Sequence, residues 1–202
     1  EDTETNVLGT INVVDSAKVA NVKRFVNLQT ALCYGRPSKV PIPIDAPTAP
    51  FTSYGISKTA GEAYLAMSEL NYVSLRLANV TGPRLSIGPI PTFYTRLKEG
   101  KSCFCSDTTR DFMDMRDFIA LMKIVLEEDA PSGVFNVSTG KGNTIKDIFD
   151  AVVDYLSIKV DKPVEIVPPS NDDVQSVVLD PSKTEEAFGW KADVSFDDMI
   201  YN

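Results

Sequence analysis

Tyr54 and Lys58 lie four residues apart in the segment SYGISKTAGE, residues 53–62. On an α-helix this spacing places both side chains on the same face. A phenol is normally a poor base at neutral pH, because it titrates near about 10. A neighbouring ammonium group favours the phenolate, so the pair predicts a tyrosine with a lowered pKa that acts as a general base.

The residue types that are missing narrow the possible chemistry further. The 202 residues contain no histidine and three cysteines. A Ser-His-Asp or Cys-His nucleophile system cannot be built from them, and the common histidine-containing zinc sites are excluded, so we predict no metal site. The plain alternative is that Tyr54 is a half-buried residue at a helix start and Lys58 a solvated one, since Tyr-x-x-x-Lys also occurs by chance.

Composition limits the partners that the chain could have. Hydrophobic residues make up 43% and charged residues 24%, which is typical of a soluble globular protein. A net charge of −8 argues against a nucleic-acid interface, and no apolar run is long enough to cross a membrane. An odd number of cysteines without a secreted spacing pattern predicts reduced thiols and a cytoplasmic location.

The elements that must position the pair follow from hydrophobic periodicity and capping signals. Apolar residues at Val7, Ile11, Val14 and Ala17 predict a helix over 5–20, and Thr52 or Ser53 caps a helix over about 54–69. Alternating strands and helices predict an α/β fold with a mostly parallel sheet. Further strands are predicted in RFVNLQTA, YVSLRLANV, GVFNVST and PVEIV, and further helices over 91–100, 114–128, 144–158 and 180–189.

Six segments, in order along the chain, resemble one family, the extended short-chain dehydrogenase/reductases, and among them the NAD-dependent nucleotide-sugar epimerases and dehydratases. The loop QTALCYG is similar to UDP-sugar 4-epimerases of bacterial O-antigen biosynthesis. The six segments are TNVLGTINVVDSA, RFVNLQTALCYG, SYGISKTAGE, LRLANVTGPR, TTRDFMDMRDF and LDPSKTEEAFGWKADVSFDD.

The resemblance implies a Rossmann-type doubly wound parallel sheet, of which the chain holds the C-terminal part, and a smaller α/β substrate-binding domain. We expect 1–84 to form the second half of the NAD-binding domain. Residues 85–202 should form mainly the substrate domain, with a strand–helix segment near 111–138 returning to the Rossmann sheet. The glycine-rich NAD loop is expected upstream of these residues, and the helices starting near Val7 and Tyr54 are expected to form a homodimer interface.

The same resemblance assigns roles to individual residues. Tyr54 is the expected general base, Lys58 holds the nicotinamide ribose and lowers the pKa of Tyr54, and Thr30 bonds the reacting oxygen. The expected NAD contacts are Asn6, Leu28, Tyr54, Lys58, Leu77 and Ala78. The expected nucleotide-sugar contacts are Thr30, Asn79, Thr92, Arg110 and Asp173.

Two departures from the family pattern bear on the reaction. Ser170 stands where the family usually has an arginine, three residues before Asp173, which removes one phosphate or ribose contact. Ala31 and Leu32 follow Thr30 where 4,6-dehydratases carry Asp-Glu, which favours 4-epimerisation through a transient 4-keto sugar with tightly bound, recycled NAD, in surface-polysaccharide sugar metabolism. A reductase, dehydratase or decarboxylase of the same family, or an inactive fragment, remains an alternative.

Overall fold

The computed structural model describes residues 1–160 and 162–201, and it alternates strands with helices along the chain. A π-helical turn (Thr3–Leu8) and a 3-10 turn (Ala31–Tyr34) complete the helical segments. The strands are β1 (Phe25–Thr30), β2 (Tyr72–Leu77), β3 (Asn79–Thr81), β4 (Phe104–Ser106), β5 (Thr109–Arg110), β6 (Phe112–Asp114), β7 (Gly133–Val137), β8 (Asn143–Thr144), β9 (Glu165–Val167) and β10 (Ser176–Val177). The helices are α1 (Gly9–Val19), α2 (Ser53–Ala66), α3 (Pro89–Lys98), α4 (Met115–Val125), α5 (Ile145–Leu156), α6 (Ser182–Phe188) and α7 (Phe196–Tyr201).

The central sheet is parallel and has the strand order β1–β2–β7. Thr30 pairs with Leu77, and Leu77 pairs with Val137, so the three strands end at the same edge. The carboxyl edge of such a sheet is where α/β proteins bind their ligands. The predicted α/β class and Rossmann-type parallel sheet are therefore confirmed.

Strand β2 shows that helices cover both faces of this sheet. Val73 and Leu75 are fully buried in a cluster with Leu121 of α4 and Phe188 of α6. The alternate residue Ser74 is equally buried but points the other way, and its hydroxyl donates to Glu62 of α2. Because successive side chains of a strand point to opposite faces, α2 and the α4–α6 pair lie on opposite sides of the sheet.

Outside the central sheet the chain forms short strands, of which the sequence predicted β9, in PVEIV, but not β4, β5, β8 or β10. The predicted strand YVSLRLANV divides at Ala78, because β3 leaves β2 and pairs with β6. Two more small sheets have the orders β10–β5–β8 and β4–β9. The predicted helix over 91–100 begins two residues earlier, at Pro89.

A second apolar cluster lies beneath α3, α5 and α7. Phe93 of α3 and Phe149 of α5 pack edge to face, with ring centroids 5.4 Å apart. Met199 and Ile200 of α7 complete this cluster. The boundary near residue 84 between two domains stays a prediction. None of the helices in the described part of the chain has the length and hydrophobicity needed to cross a membrane.

The N-terminal helix approaches α2 closely at one glycine. The π-helical turn runs directly into α1, so the predicted helix over 5–20 is present with an irregular start. A Cβ added to Gly61 of α2 would stand 2.8 Å from the Asn6 carbonyl oxygen and 3.2 Å from Thr10 Oγ1. Backbone oxygens cannot yield as a flexible side chain can, so this position requires glycine.

We therefore expect Gly61→Ala to destabilise the protein by roughly 1–3 kcal/mol despite the better helix propensity of alanine, because the methyl group separates two packed helices. Urea unfolding measures the change. Gly9→Ala is the matched control, since its nearest contact would be an ordinary 3.5 Å, and it should be neutral or stabilising. A Gly61→Ala protein as stable as the wild type would show that the two helices are not in close contact.

Candidate active site

The start of helix α2 sets the position of Tyr54. Thr52 is the N-cap, and its Oγ1 accepts a hydrogen bond of 3.0 Å from the Gly55 amide. This confirms one of the two predicted caps and places Tyr54 in the first turn. Ser53 donates from its hydroxyl to Asp2 Oδ2 at 2.7 Å. Tyr54 itself is 44% exposed.

Lys58 is held against the carboxyl end of β1. Its Nζ donates to the Leu28 carbonyl oxygen at 2.6 Å. The side-chain amide of Gln29 donates to the Lys58 carbonyl oxygen at 2.8 Å, and its Oε1 accepts from the Thr30 amide at 2.8 Å. Gln29 is only 2% exposed. One buried amide therefore joins the helix that carries Tyr54 and Lys58 to the backbone of Thr30.

Thr30 ends β1 and caps the 3-10 turn that follows. Its Oγ1 accepts a 3.2 Å hydrogen bond from the Leu32 amide. A hydroxyl group has one donor besides its acceptor lone pairs, so the Thr30 O–H still has a proton to donate to a reacting oxygen. The structure thus places Thr30, Tyr54 and Lys58 on two connected elements, and their catalytic roles stay predictions.

The electrostatics at Tyr54 differ from the prediction. Burial raises the pKa of Tyr54 above its ordinary value, and the carboxylate of Asp2 raises it further. Burial lowers the pKa of Lys58, while the carboxylate of Glu62 opposes that shift. The predicted lowering of the Tyr54 pKa by Lys58 is therefore wrong for this structure, because the ammonium group donates to Leu28 and the phenol is partly desolvated beside an acidic residue.

The other residues expected at the cofactor lie around the same edge. Asn6 donates from Nδ2 to Ser57 Oγ at 3.0 Å, which attaches the N-terminal turn to α2. Leu77 pairs with Thr30 across β1 and β2. The amide of Ala78 donates to the Val137 carbonyl oxygen at 2.9 Å. The structure therefore places these positions at or beside the carboxyl edge, and their contacts with a cofactor stay predictions.

The residues expected to bind the nucleotide sugar fall on several elements. Arg110 and Asp173 form an ion pair between Nη2 and Oδ1, and Arg110 Nη1 donates to the Thr109 carbonyl oxygen at 2.8 Å. Burial lowers the pKa of Arg110, and Asp173 opposes the shift. Asn79 begins β3 and Thr92 lies in the first turn of α3. The structure thus brings two of the predicted residues into direct contact and leaves the other two on separate elements.

A cavity beside this ion pair is lined by Arg36, a residue that was not predicted from the sequence to belong to the site. The cavity has a volume of about 420 Å³, and both Asp173 and Ser170 line it. Arg36 lines it too, stacks on the Phe51 ring at 4.2 Å and donates to the Asn171 carbonyl oxygen at 2.8 Å. The only sequence signal for Arg36 is its place in the loop after Tyr34-Gly35, because its partner lies 135 residues away.

One protein-family model matches the whole chain. The family model described as GDP-mannose 4,6 dehydratase matches residues 1–202. The chain belongs to this family, within the extended short-chain dehydrogenase/reductases that include nucleotide-sugar epimerases and dehydratases. The predicted family is thereby confirmed.

Individual relatives are longer than this chain. A UDP-glucose 4-epimerase of Mycolicibacterium smegmatis is 28% identical over 98% of this chain and 67% of its own length. The crystal structure of Bordetella bronchiseptica WbmG in complex with NAD and UDP has a TM-score of 0.97 and 67% identity, covering 99% of this chain and 64% of that one. The dTDP-glucose 4,6-dehydratase DesIV of Streptomyces venezuelae has a TM-score of 0.88 at 25% identity, covering 98% and 64%. The chain therefore spans about two thirds of the length of these relatives.

We expect Gln29→Met to destabilise the protein by about 1–3 kcal/mol, because the Thr30 amide loses its acceptor in a buried setting. Urea unfolding is the measurement. The matched control is Gln175→Met, since Gln175 is exposed and its loss should change the free energy of unfolding by less than about 0.5 kcal/mol. Equal small effects from both substitutions would contradict the role given to the Gln29 amide.

Proposed function

We propose that the protein is an NAD-dependent nucleotide-sugar 4-epimerase acting on UDP-hexoses. The observation that carries this proposal is the attachment, through Lys58 and Gln29, of α2, which carries Tyr54, to β1, which ends at Thr30. Family membership and the similarity to UDP-glucose 4-epimerases support the reaction type.

The residues at this edge fit a dinucleotide cofactor. Dinucleotides bind at the carboxyl edge of such sheets, and here the edge offers an ammonium group, a half-exposed phenol and apolar side chains. Lys58 would hold the nicotinamide ribose, while Asn6, Leu28, Leu77 and Ala78 would border the nicotinamide end. When bound, NAD accepts and returns a hydride at the sugar carbon. The WbmG structure in complex with NAD, at 67% identity, supports the assignment.

Proton transfer is the work of this chain's own side chains. Tyr54 Oη takes the proton from the sugar 4-hydroxyl and later returns it, and the Thr30 hydroxyl donates to the same oxygen. Because burial and Asp2 raise the pKa of Tyr54, its protonated form prevails at neutral pH in the unliganded chain. Taking the substrate proton therefore requires a change in this environment on binding.

The anionic part of the substrate needs cationic partners. A guanidinium group is a planar bidentate donor suited to a diphosphate, and Arg110 would exchange part of its contact with Asp173 for phosphate oxygens. Asn79 and Thr92 would add polar contacts, and Asp173 would hold the nucleotide ribose. Arg36, on the cavity that includes Ser170, offers a cation where the arginine usual in the family is missing.

A 4,6-dehydratase is the second candidate, and the similarity to DesIV is the observation that favours it. Dehydration needs further proton transfers at two more carbons, which side chains after Thr30 would have to perform. Ala31 is buried and Leu32 is apolar, so neither can act as an acid or a base. This absence of acid–base groups is why we place the epimerase first.

A homodimer is part of the proposal. Ile56 and Tyr64 are exposed on α2 and Met67 is exposed at its C-cap, while Leu8 and Val13 are exposed on the N-terminal helical segment that packs against it. A continuous apolar stripe on two packed helices suits a second copy of the same surface.

Epimerase activity is tested by incubating the protein with NAD and a panel of UDP-hexoses and following 4-epimer interconversion by NMR. We expect interconversion without net NADH, and a rate at least about a hundredfold lower in Tyr54→Phe, because the proton-transfer group is lost. Tyr72→Phe is the control, since Tyr72 begins β2 at the opposite edge of the sheet. Accumulation of a 4-keto-6-deoxy sugar would instead establish the dehydratase, and undiminished epimerisation by Tyr54→Phe would refute the assigned base.

For the dimer, we expect Tyr64→Glu to shift the sedimentation coefficient from that of a dimer to that of a monomer, because it buries a charge in the middle of the stripe. Ile119→Glu, at an exposed position on α4, should leave sedimentation unchanged. A wild-type protein that sediments as a monomer at all accessible concentrations would contradict the proposal.

A further inference from the structure

Glu62 lies four residues after Lys58, which is one further turn along α2. It is buried, with 7% of the residue exposed. Ser74 donates from its hydroxyl to Glu62 Oε2 at 2.6 Å, and Arg76 donates from Nη2 to Oε1 at 2.6 Å. The side chain of the ion-paired Arg76 is 11% exposed. A charged pair is therefore buried between the proposed catalytic helix and β2.

Arg76 extends this contact to the other side of the site. Its Nη1 donates to the Tyr34 hydroxyl oxygen at 3.0 Å, and its guanidinium carbon lies 5.0 Å from the centre of the Tyr34 ring. The Tyr34 hydroxyl in turn donates to Asn136 Oδ1 of β7 at 2.7 Å. Asn136 Nδ2 donates to the Ile42 carbonyl oxygen at 2.9 Å. The network thus joins α2, β2, β7 and the 3-10 turn.

Both ends of the network border residues of the proposed reaction. One end is Glu62, on the helix that carries Tyr54 and Lys58. The other end includes Tyr34, the last residue of the 3-10 turn, and Thr30 caps this turn by accepting from the Leu32 amide. The network therefore connects α2, which carries Tyr54 and Lys58, to the 3-10 turn that follows Thr30.

Stability alone does not explain a buried ion pair at this place. Removing two charges from water costs about as much as their attraction returns, and apolar residues of similar volume often stabilise equally well. Apolar contacts have no preferred direction, so they permit a helix to slide or rotate on a sheet. Charge-assisted hydrogen bonds require a defined distance and angle, so they prevent such a movement.

We propose that Glu62 and Arg76 are positioning residues that fix the Tyr54–Lys58 helix relative to Thr30. The assignment of reacting groups rests on the proposed function, whereas the positioning itself does not. A small displacement of α2 would move the Tyr54 phenol away from the sugar oxygen to which Thr30 would donate. Misplacements of about 1 Å can cost a hundredfold in rate. Binding of the diphosphate by Arg110 would be little affected, because Arg110 lies outside the network.

The test removes both charges together, since Glu62→Gln alone would leave Arg76 buried without its counter-ion. In the double variant Glu62→Gln with Arg76→Met we expect a cooperative thermal transition close to that of the wild type. We also expect kcat to fall about ten- to a hundredfold while KM for the UDP-hexose changes less than about twofold. The matched control is Glu99→Gln with Lys101→Met, an exposed pair at 2.7 Å, which should change none of these values.

A second measurement does not depend on turnover. NMR of protein labelled with 13C-tyrosine would resolve the Tyr54 ring signal, assigned by its loss in Tyr54→Phe. We expect this signal to shift or broaden in the double variant, while the signal of Tyr155 on α5 stays in place. If the Tyr54 signal moves but the wild type epimerises no sugar, the positioning stands and the proposed function fails.

The positioning role is overturned by a folded double variant that keeps both the wild-type kcat and the wild-type Tyr54 signal. It is equally overturned if kcat falls only in proportion to a lost fraction of folded protein. In either case Glu62 and Arg76 would be residues of the core and nothing more.

Discussion

The attachment of α2 to the carboxyl end of β1 is the interaction on which the rest of the site depends. It consists of two polar contacts, Lys58 Nζ to the Leu28 carbonyl oxygen and the Gln29 amide between Lys58 and Thr30. Apolar contacts between the helix and the sheet specify no direction, whereas these hydrogen bonds do, together with those of Glu62 to Ser74 and Arg76. Lys58 on α2 and Thr30 on β1 are thereby held at a defined separation.

The face of the central sheet toward α2 buries polar side chains instead of apolar ones. Strand β2 has apolar residues toward α4 and α6, but it presents Ser74 and Arg76 toward α2. Those polar groups are acceptable only because Glu62 and Tyr34 satisfy them, since an unpaired buried charge is strongly destabilising. One face of the sheet therefore supplies apolar burial and the other supplies direction. This division suits a protein whose site lies on one side.

Regular elements could be predicted from the sequence because their signals are local. The Thr52 cap and the helical spacing of apolar residues locate α2 and α1, and the Tyr-x-x-x-Lys spacing locates the proposed reacting pair. The short strands β5, β8 and β10 could not be predicted, because two residues carry no periodicity and pair only across long stretches of chain. The pKa of Tyr54 was mispredicted for a related reason, since both causes of its rise, burial first and then Asp2, 52 positions away along the chain, arise only on folding.

By itself the sequence determined the family, the α/β class and the helix that carries Tyr54 and Lys58. These depend on residue type, spacing and order, which are properties of the chain. Only the tertiary structure decided that Gln29 joins the helix to Thr30, that Glu62 pairs with Arg76, and that Arg36 shares a cavity with Ser170. Lys58 lies 29 residues from Gln29, Arg76 lies 14 residues from Glu62, and Asn171, which bonds Arg36, lies 135 residues from it. Folding alone brings these partners within hydrogen-bonding distance.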